Sequence, residues 1–229
     1  MNILGLDTAT PATAVAVLRC DGDAFERYSE APAAGRPRHA IELLGLAEQA
    51  LAAAGLAWSQ IERVGVGVGP GSFTGLRIGI ATAQGLAQAR ALELVGVSTL
   101  WTLSSAAQRS TRVASVLALL EAGRGEVFAA AWREHEQLLA PHPSSPATLL
   151  VSARRLPPGS LAVGNGSVRL RNGLEAVGVA VEPDDSPLHR VSAAQLCRLA
   201  VAASPVAPGA LQPAYLREPD ARPRASQTP

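Results

Sequence analysis

Residues 65–79 read Gly65-Val66-Gly67-Val68-Gly69-Pro70-Gly71-Ser72-Phe73-Thr74-Gly75-Leu76-Arg77-Ile78-Gly79. An apolar strand runs into a glycine loop, and the loop runs straight into a helix, which commits this part of the chain to layered α/β packing. Glycines at 69, 71 and 75 permit positive φ and close backbone approach. Ser72 or Thr74 can cap the helix, whose free N–H groups suit an anion. The loop nevertheless matches no nucleotide fingerprint. Begun at Gly67 or Gly69, the G-x-G-x-x-G pattern meets Ser72 or Thr74 where its third glycine belongs. A Walker A loop needs a lysine, and all 20 basic residues of the chain are arginine. Pro70 stands where a nucleophile elbow around Ser72 would have its first glycine. A tight strand-to-helix turn is the favoured reading; a phosphate cradle stays open.

The helix predicted over 74–89 carries Gly75, Gly79, Ala83 and Ala87 at every fourth position, a ridge that lets another element approach closely. Its neighbouring face holds Ile78, Thr82, Gly85, Leu86 and Ala89. A second helix, over 39–54, places Leu43, Leu44, Ala47, Ala50, Leu51 and Ala54 on one face, with Gly55 as its stop. Two readings are balanced. Either these faces pack on the chain's own sheet, or they form a partner surface through Leu43, Leu44, Ala47, Gly75, Ile78, Gly79, Thr82, Ala83 and Leu86. The partner reading expects Gly79→Arg or Ala83→Arg to abolish pairing and leave the monomer folded.

Around this core the pattern gives strands over 2–7, 13–18 and 24–30, turned at Thr10-Pro11 and Asp21-Gly22. Strands over 63–67 and 92–97 alternate with the two helices, and a third helix follows over 99–107. Three strands, then helix, strand, helix, strand, helix is the order of a ribonuclease-H-like half-domain, the unit duplicated in actin and hexokinase. The order alone supports a mixed α/β class; the expected fold class is α/β, an actin-like ATPase (ribonuclease-H-like) fold with two subdomains, the second reduced. The first domain spans 1–108, joined by a returning helix over 192–203 in which Ser192 and Gln195 form a capping box. The second spans 109–191, with strands over 113–120, 127–132, 160–163 and 177–181 and a loop over 140–146. A Pro-, Arg- and Ser-rich tail over 218–229 is expected to be disordered.

Composition narrows the function. No apolar run approaches the roughly 18 residues of a membrane span, and no basic stretch precedes the first apolar residues, so a cytoplasmic location without a membrane is expected. A net charge of +1 supplies no basic field to gather nucleic acid. Cys20 and Cys197 read as buried small hydrophobes. His39, His135, His142 and His189 have no metal-site spacing, and Asp184-Asp185 reads as a solvated turn. No catalytic residue and no metal ligand is assigned. Asp7 is the acid to single out. With Thr8 and Thr10 it ends the first strand, where an acid either closes a turn or faces a nucleotide.

The run from Gly69 to Gly79, followed by Ala81-Thr82-Ala83-Gln84-Gly85-Leu86-Ala87, resembles the signature of the TsaB family. So does the opening Ile3-Leu4-Gly5-Leu6-Asp7-Thr8-Ala9-Thr10. Weaker echoes are Arg38-His39-Ala40, Gly125-Glu126-Val127-Phe128, Val163-Gly164-Asn165-Gly166 and Pro213-Ala214-Tyr215-Leu216-Arg217. Glu121-Ala122-Gly123-Arg124 departs from the family's Asp-Ala-Arg-Arg. The resemblance implies a non-catalytic scaffold that pairs with TsaD, the related catalytic subunit, and with TsaE, an ATPase. TsaD then transfers threonylcarbamoyl to an adenosine of tRNA beside the anticodon. TsaD carries a His-x-x-x-His metal pair, whose positions fall here on Thr99 and Leu103. No cofactor is implied as required. Weak ATP or ADP binding near the TsaD interface would use Asp7, Thr8 and Thr10. Transfer RNA is reached only through the complex, and the same apolar helices can pair two copies when TsaD is absent. Two alternatives stand beside this reading: a stand-alone glycoprotease-type metallopeptidase and a small actin-like-fold ATPase.

Overall fold

Strand β1 (Ile3–Asp7) is buried along its whole length, so it can only be a central strand. In the computed structural model, which describes residues 1–31, 37–113 and 115–217, it lies in the middle of a five-stranded sheet. Strands β2 (Thr13–Leu18) and β3 (Ala24–Ser29) continue from it as an antiparallel meander. On its other side β4 (Arg63–Gly69) and then β5 (Glu93–Ser98) add in parallel, giving the order β3-β2-β1-β4-β5. Parallel neighbours need crossover helices. These are α1 (His39–Ala54) and α2 (Phe73–Arg90), which cover one face of the sheet.

The second half repeats the plan. Strands β6 (Ser115–Gly123), β7 (Glu126–Arg133) and β8 (Glu136–Ser144) form an antiparallel meander. The short β9 (Leu161–Val163) and β10 (Ala180–Val181) then add in parallel beyond β6. Read from β8, the order mirrors that of the first sheet. Helices α4 (Pro146–Ala153), α5 (Asn165–Arg169) and α6 (Arg171–Ala176) are short, and with β9 and β10 they account for the reduced size of this half. The loop expected over 140–146 is instead the end of β8 and the start of α4. Pro141 and Pro143 are tolerated because β8 is an edge strand whose outer side has no ladder to complete.

The two halves exchange helices. Helix α3 (Thr99–Thr111) follows the first sheet in sequence, yet buries Leu100, Leu103 and Ala107 against Val116, Ala118, Leu120 and Phe128 of the second. Helix α7 (Ala193–Ala202) follows the second sheet and covers the open face of the first. There Leu196, Cys197 and Ala200 meet Ile3, Ala14, Ala16 and Val95. Gly5 makes this possible, since a Cβ there would lie 2.5 Å from the Cys197 sulfur. Cys197 is buried as expected, but Cys20 is exposed. Ser192 caps α7 by accepting from Gln195 N. The Gln195 side chain does not complete the expected box, because it donates to Ser105. Glu26 of β3 adds a cap of a different kind, accepting from the Ala193 and Ala194 amides and from the Ser192 hydroxyl. The tail expected over 218–229 lies outside the described residues. Among the described residues no helix is long and apolar enough to cross a membrane.

Arg63 fastens α7 to the sheet. Its guanidinium is buried, donates to the carbonyls of Ala200, Val201 and Ala203 at the end of α7, and pairs with Glu93. Replacing it leaves helix-end carbonyls without donors in a buried site. Arg63→Ala is expected to lower the free energy of unfolding by about 2–4 kcal/mol, read by urea denaturation. A loss below about 0.5 kcal/mol would show that α7 is held by its apolar face alone.

Candidate functional site

The ends of β1 and β4 meet the starts of α2 and α3, and the groups singled out in the sequence converge there. Asp7 is fully buried. One carboxylate oxygen accepts from Ala9 N at 2.9 Å, and the other accepts from the Thr99 hydroxyl at 3.1 Å. A side chain at residue 67 would occupy the same space, since a Cβ on Gly67 would lie 1.9 Å from that second oxygen. Burial raises the Asp7 carboxyl from its usual 3.8 to about 6, and the two hydrogen bonds offset only part of the cost.

Thr8 is buried beside it and donates to the Gly75 carbonyl at 2.7 Å, tying β1 to the first turn of α2. The glycine ridge of α2 exists for this contact. A Cβ on Gly75 would fall 2.0 Å from the Thr8 carbonyl oxygen, and one on Gly79 would fall 2.3 Å from its hydroxyl. Further along, Ala83 and Ala87 are buried in the first sheet's core. The ridge Gly75–Gly79–Ala83–Ala87 therefore faces the chain's own sheet, and Leu43 and Ala47 of α1 are buried in the same core. These five of the nine partner-surface candidates (Leu43, Ala47, Gly75, Gly79 and Ala83) are interior. Leu44 is 52% exposed, with Ile41 beside it at 72%. Ile78, Thr82 and Leu86 are half-buried along α2. A Cβ on Gly79 already collides with Thr8, and Ala83 is fully buried in the first core, so an arginine at either position is expected to disturb the fold rather than spare it.

Above this junction lies a cleft of about 560 Å³ between the two halves. One wall is the 9–11 turn with the 70–73 loop; the other is the β6–β7 hairpin at 120–123 with Asn165. Of Asp7, Thr8 and Thr10, only Thr10 reaches the cleft wall. Asp7 and Thr8 point inward, where the first closes a turn and the second anchors a helix. Ser72, not Thr74, caps α2, accepting from Gly75 N at 3.2 Å, and its own amide donates to Ala9 O at 2.7 Å. Thr99, which the sequence presented only as a poor metal ligand, is the partner of Asp7. Leu103 is fully buried in the second sheet's core. Asp184 is an exposed residue paired with Arg171.

Residues 214–217, which sequence reasoning marked only as a weak family echo, also line the cleft. Tyr215 stacks on Phe73 with ring centroids 5.1 Å apart, and Arg77 lies 3.9 Å over the Phe73 ring. Arg217 donates to the Ala122 carbonyl at 3.1 Å. An aromatic in the first turn of α2, and another in the otherwise polar run after Pro213, were the available signals.

Two sheets of matching order, crossed by exchanged helices around a central cleft, define the actin-like, ribonuclease-H-like fold. The hexokinase of the ROK family from Thermus thermophilus shares it, with a TM-score of 0.50 at 15% identity over 88% of this chain. A solved Pseudomonas aeruginosa protein described as similar to the peptidase YeaZ is nearer. It has a TM-score of 0.76 and 29% identity, and it covers 94% of this chain and 99% of its own. The model of the TsaD family, tRNA N6-adenosine threonylcarbamoyltransferase, matches residues 31–150, just over half of the chain. The chain belongs to this family, and its similarity within it runs to TsaB. The Escherichia coli tRNA threonylcarbamoyladenosine biosynthesis protein TsaB is 39% identical over 137 residues, which are 60% of this chain and 56% of that protein. The chain thus spans about half the length of the curated relatives it matches.

Two outcomes test the junction. The folded Asp7 carboxyl titrates above its unfolded value, so the charged form costs stability. That cost is absent below about pH 4 and complete above about pH 6. Asp7→Asn keeps the bond from Ala9 N through its amide oxygen and meets the Thr99 oxygen only as a donor; relative to its effect at pH 4, it is expected to gain up to about 3 kcal/mol at pH 8, measured by denaturation across pH. A gain that does not change with pH would contradict the burial cost. Gly79→Ala should lose about 1–3 kcal/mol by overpacking, and Gly79→Arg should yield no folded protein.

Proposed function

We propose that this chain is a non-catalytic subunit for threonylcarbamoyl transfer to tRNA adenosine, acting as the partner of TsaD, with TsaE joining the pair. The observation that carries it is the likeness to TsaB, from the 39% identity to the Escherichia coli protein to the signature that builds the Thr8–α2 junction. The non-catalytic part draws support from Thr99 and Leu103, the two positions where the resemblance would put TsaD's metal histidines. The Thr99 hydroxyl is committed to Asp7, and the Leu103 side chain is core.

The surface that remains for TsaD is smaller than the sequence suggested. It comprises Ile41 and Leu44 on α1 with the half-buried Ile78, Thr82 and Leu86 on α2. Exposed branched apolar residues on adjoining helices favour association, with TsaD or with a second copy of this chain in its absence. Transfer RNA is met only through the complex, since a net charge of +1 gives little attraction for phosphates. The proposal requires no cofactor. ATP or ADP binding is weak and belongs to the cleft, where Thr10 lies on the wall.

Reconstitution of tRNA modification with TsaD and TsaE, with and without this chain, tests the proposal; unchanged modification in its absence would end it. Ile41→Asp and Leu44→Arg alter exposed positions and are expected to leave the melting temperature within about 2 °C of wild type. Each should weaken copurification with TsaD at least about tenfold, the equivalent of about 1.4 kcal/mol. Wild-type affinity in both variants would move the interface elsewhere.

A further inference from the structure

Helix α3 starts at the Asp7 junction, and about 15 Å further along its axis the last turn reaches a second cavity. Its volume is about 440 Å³, and its walls are the end of α3, the start of α7, strand β3 and the turn over 187–191. Both halves of the molecule contribute, and no lining residue is shared with the cleft. Three guanidiniums line it, Arg109 from α3, Arg190 from the turn and Arg198 from α7. The carboxylates beside them are engaged. Glu26 gives one oxygen to the Ala193 and Ala194 amides and the other to the Ser192 hydroxyl, so the start of α7 answers its charge. Glu30 pairs with Arg190 at 3.1 Å, where both side chains are exposed. Arg198 meets Glu26 only at longer range, as a charge, and among the described residues Arg109 makes no ion pair.

We infer that this cavity binds a small organic phosphate, which Arg109 and Arg198 take by its phosphate and which bridges the two halves at the end of α3. Planar guanidinium forks match phosphate oxygens, and a phosphate ester carries close to two negative charges, one for each of these arginines. A lone carboxylate carries half that charge. The apolar walls, Ala106, Leu188 and Val191, suit an organic part, and the volume is that of a site for a small molecule rather than a bare ion. The walls are set in advance. His189 is buried and fixes the turn, its two ring nitrogens lying against the carbonyls of Gly164 and Pro183 at 3.1 and 2.9 Å. Gln195 is tied to Ser105 at 2.8 Å, and Arg190 lies 5.1 Å over the Tyr28 ring. Walls held in this way leave little ordering to be done on binding. The inference concerns this chain alone and does not depend on pairing with TsaD.

Titration of the full chain with ribose 5-phosphate at fixed ionic strength, followed by the backbone amide NMR signals, tests it. Saturable shifts are expected at the Ser110 and Arg198 amides, with a dissociation constant below about 1 mM. Inorganic phosphate should bind at least about threefold more weakly, and ribose should not bind. Arg109→Gln and Arg198→Gln should each weaken binding at least about tenfold. Ser110→Glu, which sets a carboxylate at the site, should abolish it. Arg109 and Ser110 are exposed, so their variants should melt within about 2 °C of wild type. Arg155→Gln, at an exposed arginine beyond α4, should bind as wild type does. Several outcomes would overturn the inference: no saturable shift up to about 10 mM, shifts confined to Thr10 and Phe73 in the cleft, an equal loss in Arg155→Gln, or inorganic phosphate binding as tightly as the ester.

Discussion

At the end of β1, two neighbouring side chains set the geometry of everything around them. The Asp7 carboxylate takes the hydroxyl of Thr99, the first residue of a helix that covers the second sheet. The Thr8 hydroxyl takes hold of α2, which covers the first. A single turn therefore fixes where each half begins. The glycines at 67, 75 and 79 are the complement of this contact, because their missing side chains are the space that Asp7 and Thr8 fill. Burying a carboxyl at that point costs stability. The arrangement spends part of the fold's favourable energy on holding one acid between two helices.

Much of this was legible in the sequence, where short periods dominate. The meander, the two crossover helices and their stops followed from alternation, helical spacing and Gly55. The site was harder to read. A ridge of Gly75, Gly79, Ala83 and Ala87 shows that something approaches closely, but one strand of the same chain and a helix of another demand the same small residues. The deciding partner, Thr8, lies 67 positions from Gly75. The same distance problem hid the Asp7–Thr99 bond, because nothing local to Thr99 marks its hydroxyl as spoken for. β8 was missed for a different reason. Its prolines argue against a strand only when both edges must be paired, and that depends on strand order rather than on residue type.

The division between inner and outer residues also changes what kind of surface the helices offer. A dense small-residue ridge would make a rigid, close helix contact. What is exposed instead is branched and sparse: Ile41 and Leu44 stand clear of the α1 core residues. Such a face suits an association that can be exchanged between a second copy and a different partner.

The exchange of α3 and α7 has a consequence for how the molecule comes into being. One face of the first sheet, with Ile3, Ala14, Ala16 and Val95, has no cover until residues 193–202 arrive. Between the last strand of that sheet at Ser98 and the start of its lid at Ala193 the ribosome must add the whole second half. At about 5–20 residues per second this leaves the sheet half-dressed for roughly 5–20 s. The long span between such contacts also slows refolding. The small residues on that face, Ala14 and Ala16 with Gly5 and Gly65 among its branched side chains, make its temporary exposure less adhesive than a leucine-rich surface would be.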